Sequence, residues 1–232
     1  MLESKYNKKP SSFLTLTYSD INVPKDGQLE IVDFQGFIKN VRNSKRQETI
    51  RFFGVGEYGD KFGRPHYHLA MFNMPPDENE KLFHDAWGNG HTHVGEITSG
   101  SAAYIASYTT KKLTKAGDDR LEGKTPEFAR MSKYPPIGQP GIEHIQSLLE
   151  TRTGAAALAD QGDVPTTVRI GGKQYPIGKY WRGKLREYNG IYDPPDKSKD
   201  WEINSDDQAK AEKIAAKLFH TKNKTWKNTK TF

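Results

Sequence analysis

Ile50-Arg-Phe-Phe-Gly-Val-Gly-Glu57-Tyr-Gly-Asp-Lys-Phe-Gly-Arg-Pro-His66-Tyr-His68-Leu-Ala-Met-Phe72 is the stretch whose reading decides the fold. Ile50 to Val55 is apolar on both faces, which suits a central strand. Gly54, Gly56, Gly59 and Gly63 then mark a turn, and His66 to Phe72 reads as the returning strand of a hairpin. Side chains alternate across a strand. Tyr67, Leu69 and Met71 therefore share the face that must be covered, and His66 and His68 share the other. Two imidazoles two residues apart, about 6–7 Å at Cα, can converge on one metal ion; two packing histidines would give the same pattern. Glu57 ends the first strand, and the turn returns the chain beside it, so its carboxylate is a candidate third ligand. Two imidazoles and a carboxylate suit Mg²⁺ or Mn²⁺ in a phosphoryl-transfer site, although zinc accepts the same ligands.

Outward from the hairpin the periodicities alternate. Phe13 to Tyr18 reads as a strand with Leu14, Leu16 and Tyr18 on one face and Thr15 and Thr17 on the other, the face of the histidines. Asp33 to Lys45 has Phe34, Phe37, Ile38 and Val41 at helical spacing, with Asp33 a plausible N-cap. Pro75 to Trp87 is a second helix, opened by proline and closed by Gly88. His91 to Ile97 is another strand, and Ser99 to Leu113 another helix. The order β-α-β-β-α-β-α predicts an α+β, ferredoxin-like or RRM-like antiparallel sheet. Both crossover helices are expected on one face. The other is left to the last helix and to function.

On that last helix, Tyr104, Tyr108, Lys111 and Lys115 form one stripe at about 100° per residue. Ala102, Ala106 and Leu113 lie opposite, so the phenols are expected to share a face with cations. A phenol of pKa about 10 is a poor nucleophile at neutral pH, and a neighbouring ammonium both favours the phenolate and can hold a phosphate. Tyrosine packing with solvated lysines is the bland alternative.

The chain has 232 residues, 35 Lys+Arg against 29 Asp+Glu, a net charge of +6 and no cysteine. Lack of cysteine excludes a disulfide scaffold, a thiolate metal site and a Cys nucleophile. No apolar run approaches the roughly 20 residues that span a bilayer, and Met1 to Pro10 is polar, so a soluble, non-secreted chain is expected. The modest basicity favours a polyanionic partner. Residues 1–117 read as the core and 118–232 as an accessory region packed on or continuing it. In that region Asp118 to Pro140 is loop-like and Ile142 to Leu149 a short helix. Val164 to Pro176 reads as a hairpin around Gly171-Gly172, and Lys179 to Glu187 and Asp206 to Phe219 as helices. The last ~12 residues carry four lysines and no acid.

Taken together, Phe13-Leu-Thr-Leu-Thr-Tyr18, Phe52-Phe-Gly-Val-Gly-Glu-Tyr-Gly59, Gly63-Arg-Pro-His-Tyr-His68, Ala102-Ala-Tyr-Ile-Ala-Ser-Tyr108 with Lys111-Lys112, and Pro126-Glu-Phe-Ala-Arg-Met-Ser132 with Ile137-Gly138 resemble the motifs of HUH endonucleases, the rolling-circle replication initiators. The resemblance is dense over roughly residues 12–140 and is to the single-stranded DNA phage branch, the gokushoviruses among the microviruses. It implies a metal-dependent endonuclease that nicks and rejoins single-stranded DNA at a viral origin in the cytoplasm of a bacterial host. His66, His68 and Glu57 would hold the divalent metal, Mg²⁺ or Mn²⁺. A tyrosine would attack phosphorus, leaving a 5′-phosphotyrosine link and a 3′-OH for a host polymerase, with unwinding by a host helicase. The spacing Tyr-x-x-Lys fits Tyr108 with Lys111 and ranks Tyr108 ahead of Tyr104, with Lys112 a helper. Thr15, Thr17, Arg64, Tyr58 and Phe62 are candidates for DNA contact. Three rival readings stay open: a nucleic-acid-binding module with structural histidines, another HUH enzyme (plasmid initiator, relaxase or transposase), and a metal hydrolase that uses water.

Overall fold

A computed structural model describes residues 1–59, 62–111 and 118–192. The chain divides into two compact units, the first built mainly from residues 3–137 and the second beginning at Gly138.

The first unit is a five-stranded antiparallel sheet. After a short helix α1 (Leu2–Tyr6) come β1 (Ser12–Tyr18), α2 (Ile31–Ser44), β2 (Arg51–Tyr58), β3 (Pro65–Phe72), α3 (Pro76–Trp87), β4 (Gly90–Glu96), α4 (Ser99–Lys111) and β5 (Phe128–Met131). The strands lie in the order β4-β1-β3-β2-β5. The first six elements of the expected order are thus borne out, and with them the α+β class.

Period-two alternation makes the core. Leu14 and Leu16 of β1 and Tyr67, Leu69 and Met71 of β3 are all fully buried, against Phe34, Phe37 and Val41 of α2 and Phe83 and Trp87 of α3. Each such side chain contributes about 1.5–3 kcal/mol by leaving water. Two glycines let the aromatic layer rest on β2. A Cβ at Gly54 would stand 2.7 Å from the Phe34 ring, and one at Gly56 would stand 2.9 Å from the Phe128 ring. Gly88 ends α3 in the left-handed region (φ 63°) and donates its N–H to the His84 carbonyl, as the sequence suggested.

Three readings need correction. Residues 118–140 are not all loop, because Phe128–Met131 pairs with Phe53–Gly56 as a fifth strand and carries Phe128 into the core. Its four residues are too few to show a period. Helix α2 begins one turn before the expected N-cap: Glu30 precedes it, and Asp33 instead accepts the Tyr18 hydroxyl at 2.8 Å. Helices α1 and α6 were not anticipated, α1 because it is short and α6 because its Gly-Ala-Ala-Ala run has no apolar stripe.

The second unit contains α5 (Gln139–Leu149), α6 (Arg152–Gln161), the hairpin β6 (Thr167–Ile170) and β7 (Lys173–Pro176), and α7 (Lys179–Tyr188). Its own small core joins Ile142, Ile145, Val164, Ile177 and Leu185. The buried Asp163 carboxylate is bound by the guanidinium groups of Arg182 and Arg186. The Gly171-Gly172 turn and the short helices around residues 142–149 and 179–187 match the sequence reading. The expected helix at 206–219 and the basic tail lie outside the described residues.

Candidate metal centre

The hairpin register assembles the centre. Glu57 stands directly opposite His66, and Val55 opposite His68. On the other side of β3, Thr17 faces His66 and Thr15 faces His68. Cross-strand partners project to the same face, so His66, His68, Glu57, Thr15 and Thr17 all rise on the side away from α2 and α3.

Glu57 is 2 % exposed and lies between the two imidazoles, its Oε1 2.9 Å from both His66 Nε2 and His68 Nε2. Burial alone would push this carboxyl up. The hydrogen bonds from His66 and His68, and their charge, outweigh burial and hold it down to about 2. Nδ1 of His66 lies 3.1 Å from the Arg64 carbonyl, which can only accept, so Nδ1 carries the proton there. In a neutral imidazole that leaves Nε2 an acceptor facing a carboxylate oxygen, a contact that needs a proton or a cation between them. His68 Nδ1 is 3.0 Å from Thr15 Oγ1, a contact that fixes the second ring. Glu57 Oε2 is buried and has no hydrogen-bond partner. The Glu57, His66 and His68 ligand atoms all lie within 4.8 Å of one another. Two converging imidazoles, each held from behind, and a depressed carboxylate with an orphaned oxygen fit a divalent cation.

Helix α4 closes one side of this centre. Ile105 and Tyr108 are buried against Val55, with Tyr104, Phe13 and Phe53 packed around them. This corrects the expected helix face: the phenol stripe is the surface that docks on the sheet, and Ala103 and Ala106 are exposed. Residues 99–108 are mostly small and carry almost no apolar stripe, so bulk decides the docking face. The Tyr108 hydroxyl donates to Tyr104 Oη at 2.6 Å. The Tyr104 hydroxyl lies 3.4 Å from Glu57 Oε1 and 3.5 Å from His68 Nε2. Burial, then the hydrogen bond to Tyr104 and the Glu57 charge, raise the Tyr108 phenol above the ordinary tyrosine range. Tyr104 is therefore the phenol beside the centre, and Tyr108 stands one hydrogen bond behind it.

The other candidates are distributed as follows. The Lys111 side chain and Lys112 lie outside the described residues. Arg64 donates to Asp20 Oδ1 at 2.7 Å and to the Tyr18 carbonyl. The Tyr58 hydroxyl bridges the Leu29 N–H and the Thr125 carbonyl, and Lys124 Nζ sits 5.1 Å over its ring. Thr17 Oγ1 donates to the His91 carbonyl at 3.4 Å, and Phe62 is 89 % exposed. Sequence reasoning missed Phe13, whose ring stacks on His68 with centroids 5.8 Å apart. It also passed over His91 and His93, exposed on β4 opposite Thr17 and Thr15. The alternation of β4 was the signal that would have found the second pair.

Residues 11–113 match the family described as replication-associated protein ORF2. Among curated relatives, replication-associated protein VP4 of Bdellovibrio phage phiMH2K is 32% identical over 176 residues, 66% of this chain and 55% of that protein. Replication-associated protein ORF2 of Spiroplasma virus 4 is 37% identical over 153 residues, 57% of this chain and 48% of that protein. Replication-associated protein ORF4 of Chlamydia phage 1 is 30% identical over 205 residues, 76% of this chain and 46% of that protein. The chain thus spans about half the length of the curated relatives it matches. No solved structure matches it. Among the described residues no helix is long and apolar enough to cross a membrane. The resemblance to phage replication initiators that the motifs carry is thereby borne out.

Proposed function

We propose that this chain, similar to phage replication-associated proteins, is a replication initiator that nicks single-stranded DNA at a viral origin and rejoins it through a phosphotyrosine link. The observation that carries the reading is the Tyr104 hydroxyl, 3.4 Å from the carboxylate of a two-histidine, one-carboxylate cluster on the open face of the sheet. His66, His68 and Glu57 would hold Mg²⁺ or Mn²⁺. Bound there, the cation supplies Lewis-acid polarisation of the scissile phosphate.

The chain's own residues do the rest. Thr15 and the Arg64 carbonyl keep the two rings turned so that both Nε2 atoms face Glu57. The Tyr104 oxygen attacks phosphorus in line. A Tyr–O–P bond forms as the P–O3′ bond breaks, and the proton lost by the phenol is balanced by one gained at the departing 3′ oxygen. Tyr108, which donates to Tyr104, is suited to the second attack, so that the two phenols alternate. The order favoured here, Tyr104 first, follows proximity; the Tyr-x-x-Lys spacing favours Tyr108. The link conserves the phosphodiester bond energy, so joining needs no nucleotide triphosphate. Host helicase and polymerase would act on the displaced strand and the 3′-OH, in the cytoplasm of the bacterium.

The test is a denaturation-resistant adduct between the protein and a labelled single-stranded oligonucleotide from the viral origin, with Mn²⁺ or Mg²⁺ against chelator. A metal-dependent adduct that maps to Tyr104 or Tyr108 supports the reading. Cleavage without an adduct would make water the nucleophile, and binding without cleavage would leave a nucleic-acid-binding module.

A further inference from the structure

At the far end of β2 from Glu57, a cleft of about 390 Å³ opens between the end of α2, the start of β2 and the segment after β5. Its lining includes Arg42, Arg46, Arg51, Lys133 and Tyr134, with Glu48 as its acid. Arg51 is committed to the fold: it pairs with Glu3 and donates to the Pro135 and Pro136 carbonyls. Glu48 lies 3.7 Å from Lys45. Arg42, Arg46 and Lys133 are exposed and have no ion pair among the described residues, and Arg42 lies 5.8 Å over the Phe52 ring. Tyr134 is 91 % exposed. Its neighbour Ser132 is anchored to Phe52 in both directions, N–H to carbonyl and hydroxyl from N–H, so Lys133 and Tyr134 are presented from a fixed point.

Like charges drawn from three separate elements to one cleft repel one another, and a bound anion relieves that repulsion. An aromatic ring left in water beside them adds a stacking surface. Cations with an exposed aromatic ring are the pairing that binds single-stranded nucleic acid without reading its sequence. We propose that this cleft is a second contact site for a single DNA strand, with phosphates against Arg46, Lys133 and Arg42 and a base on Tyr134. Arg51 and Glu57 are six residues apart on one strand, about 20 Å, so the cleft lies clear of the metal centre. The proposal rests on the nucleic-acid reading of the chain. It gives a purpose to the Lys133-Tyr134 segment, which the nicking chemistry does not use.

The test uses the full chain, a fluorescein-labelled 20-nucleotide oligo(dT) and chelator, so that binding is read without cleavage. Arg46→Ala and Lys133→Ala should each weaken binding about 3–10-fold and lower the slope of log affinity against log salt by about 0.7. Tyr134→Ala should weaken it about 5-fold or more with the slope unchanged. A 4-thiothymidine version should crosslink to the peptide containing Tyr134. Wild-type binding in all three variants would overturn the proposal. So would crosslinks confined to the histidine face, displacement by free ATP with oligo(dT) binding indifferent to the variants, or equal competition by polyglutamate. The same variants in a Tyr104→Phe background separate the two readings: loss of nicking leaves the oligo(dT) effects intact if the cleft acts as proposed.

Discussion

Two tyrosine pairs lie on opposite faces of one sheet, and each is tied to a carboxylate. On the covered face, Tyr18 and Tyr67 touch through their hydroxyls at 2.8 Å, and Asp33 accepts from Tyr18. Tyr67 also reaches the backbone N–H and carbonyl of Glu30. Both rings are at most 2 % exposed. On the open face, Tyr108 donates to Tyr104, and Tyr104 faces Glu57 at 3.4 Å. The first network is closed, and each of its members helps to locate α2 against β1 and β3. The second ends on a carboxylate with one oxygen unpartnered and on imidazoles turned toward it. The same functional groups hold the fold in one place and are left ready for a ligand in the other. The difference lies in whether the hydrogen bonding is complete.

The largest effect that would sharpen this contrast is on the open face. Tyr104→Phe should lower metal-dependent adduct formation by about 10³-fold or more while shifting the melting temperature little. Gel quantification of the adduct and a thermal melt by circular dichroism read the two quantities. An adduct that survives Tyr104→Phe and disappears in Tyr108→Phe would reverse the proposed order of the phenols.

The covered pair answers to alkali. Burial, only partly offset by its hydrogen bonds, pushes the Tyr67 phenol up to about 12. A folded-state value above the unfolded one of about 10 means that the stabilisation is complete below pH 10. It is lost as pH rises through 12, and amounts to at most roughly 3 kcal/mol. Phenolate absorbance near 295 nm and the unfolding transition should then rise together. Ionisation of Tyr67 at an ordinary pH in the folded chain would break the comparison.

Tyr67→Phe should cost about 2 kcal/mol, because the Glu30 backbone groups and the Tyr18 hydroxyl lose a buried partner. Denaturant titration checks this, and nicking per folded molecule should stay at the wild-type rate. The smallest effect belongs to Thr15→Val, which removes the hydroxyl behind His68. It should weaken Mn²⁺ binding about 10-fold by calorimetric titration, with little change in stability.

Strands β1 and β3 and helices α2 and α3 were legible because each has one face in a dense core, and burial on one side writes its period into the sequence. Glu57, His66 and His68 were legible for a related reason: a hairpin converts spacing into proximity. Strand β5 escaped because four residues hold no period. The face of α4 was misjudged because its apolar contact is made by Tyr104, Ile105 and Tyr108, among residues too small to mark a stripe. Why Tyr104 and not Tyr108 stands beside Glu57 depends on how far and at what angle the helix leans on Val55, which no local pattern records.

All three candidate ligands lie within a twelve-residue stretch, whereas Tyr104 is 47 residues from Glu57 and 36 from His68 along the chain. The ion-holding part of the centre is therefore a local property of one hairpin, and the reactive part arrives by tertiary docking. During folding the hairpin can close and hold its geometry before α4 has found its place. Over generations the two parts can also change separately, since a helix with a different reactive group needs only to meet the same Val55 surface to be set beside an unchanged hairpin.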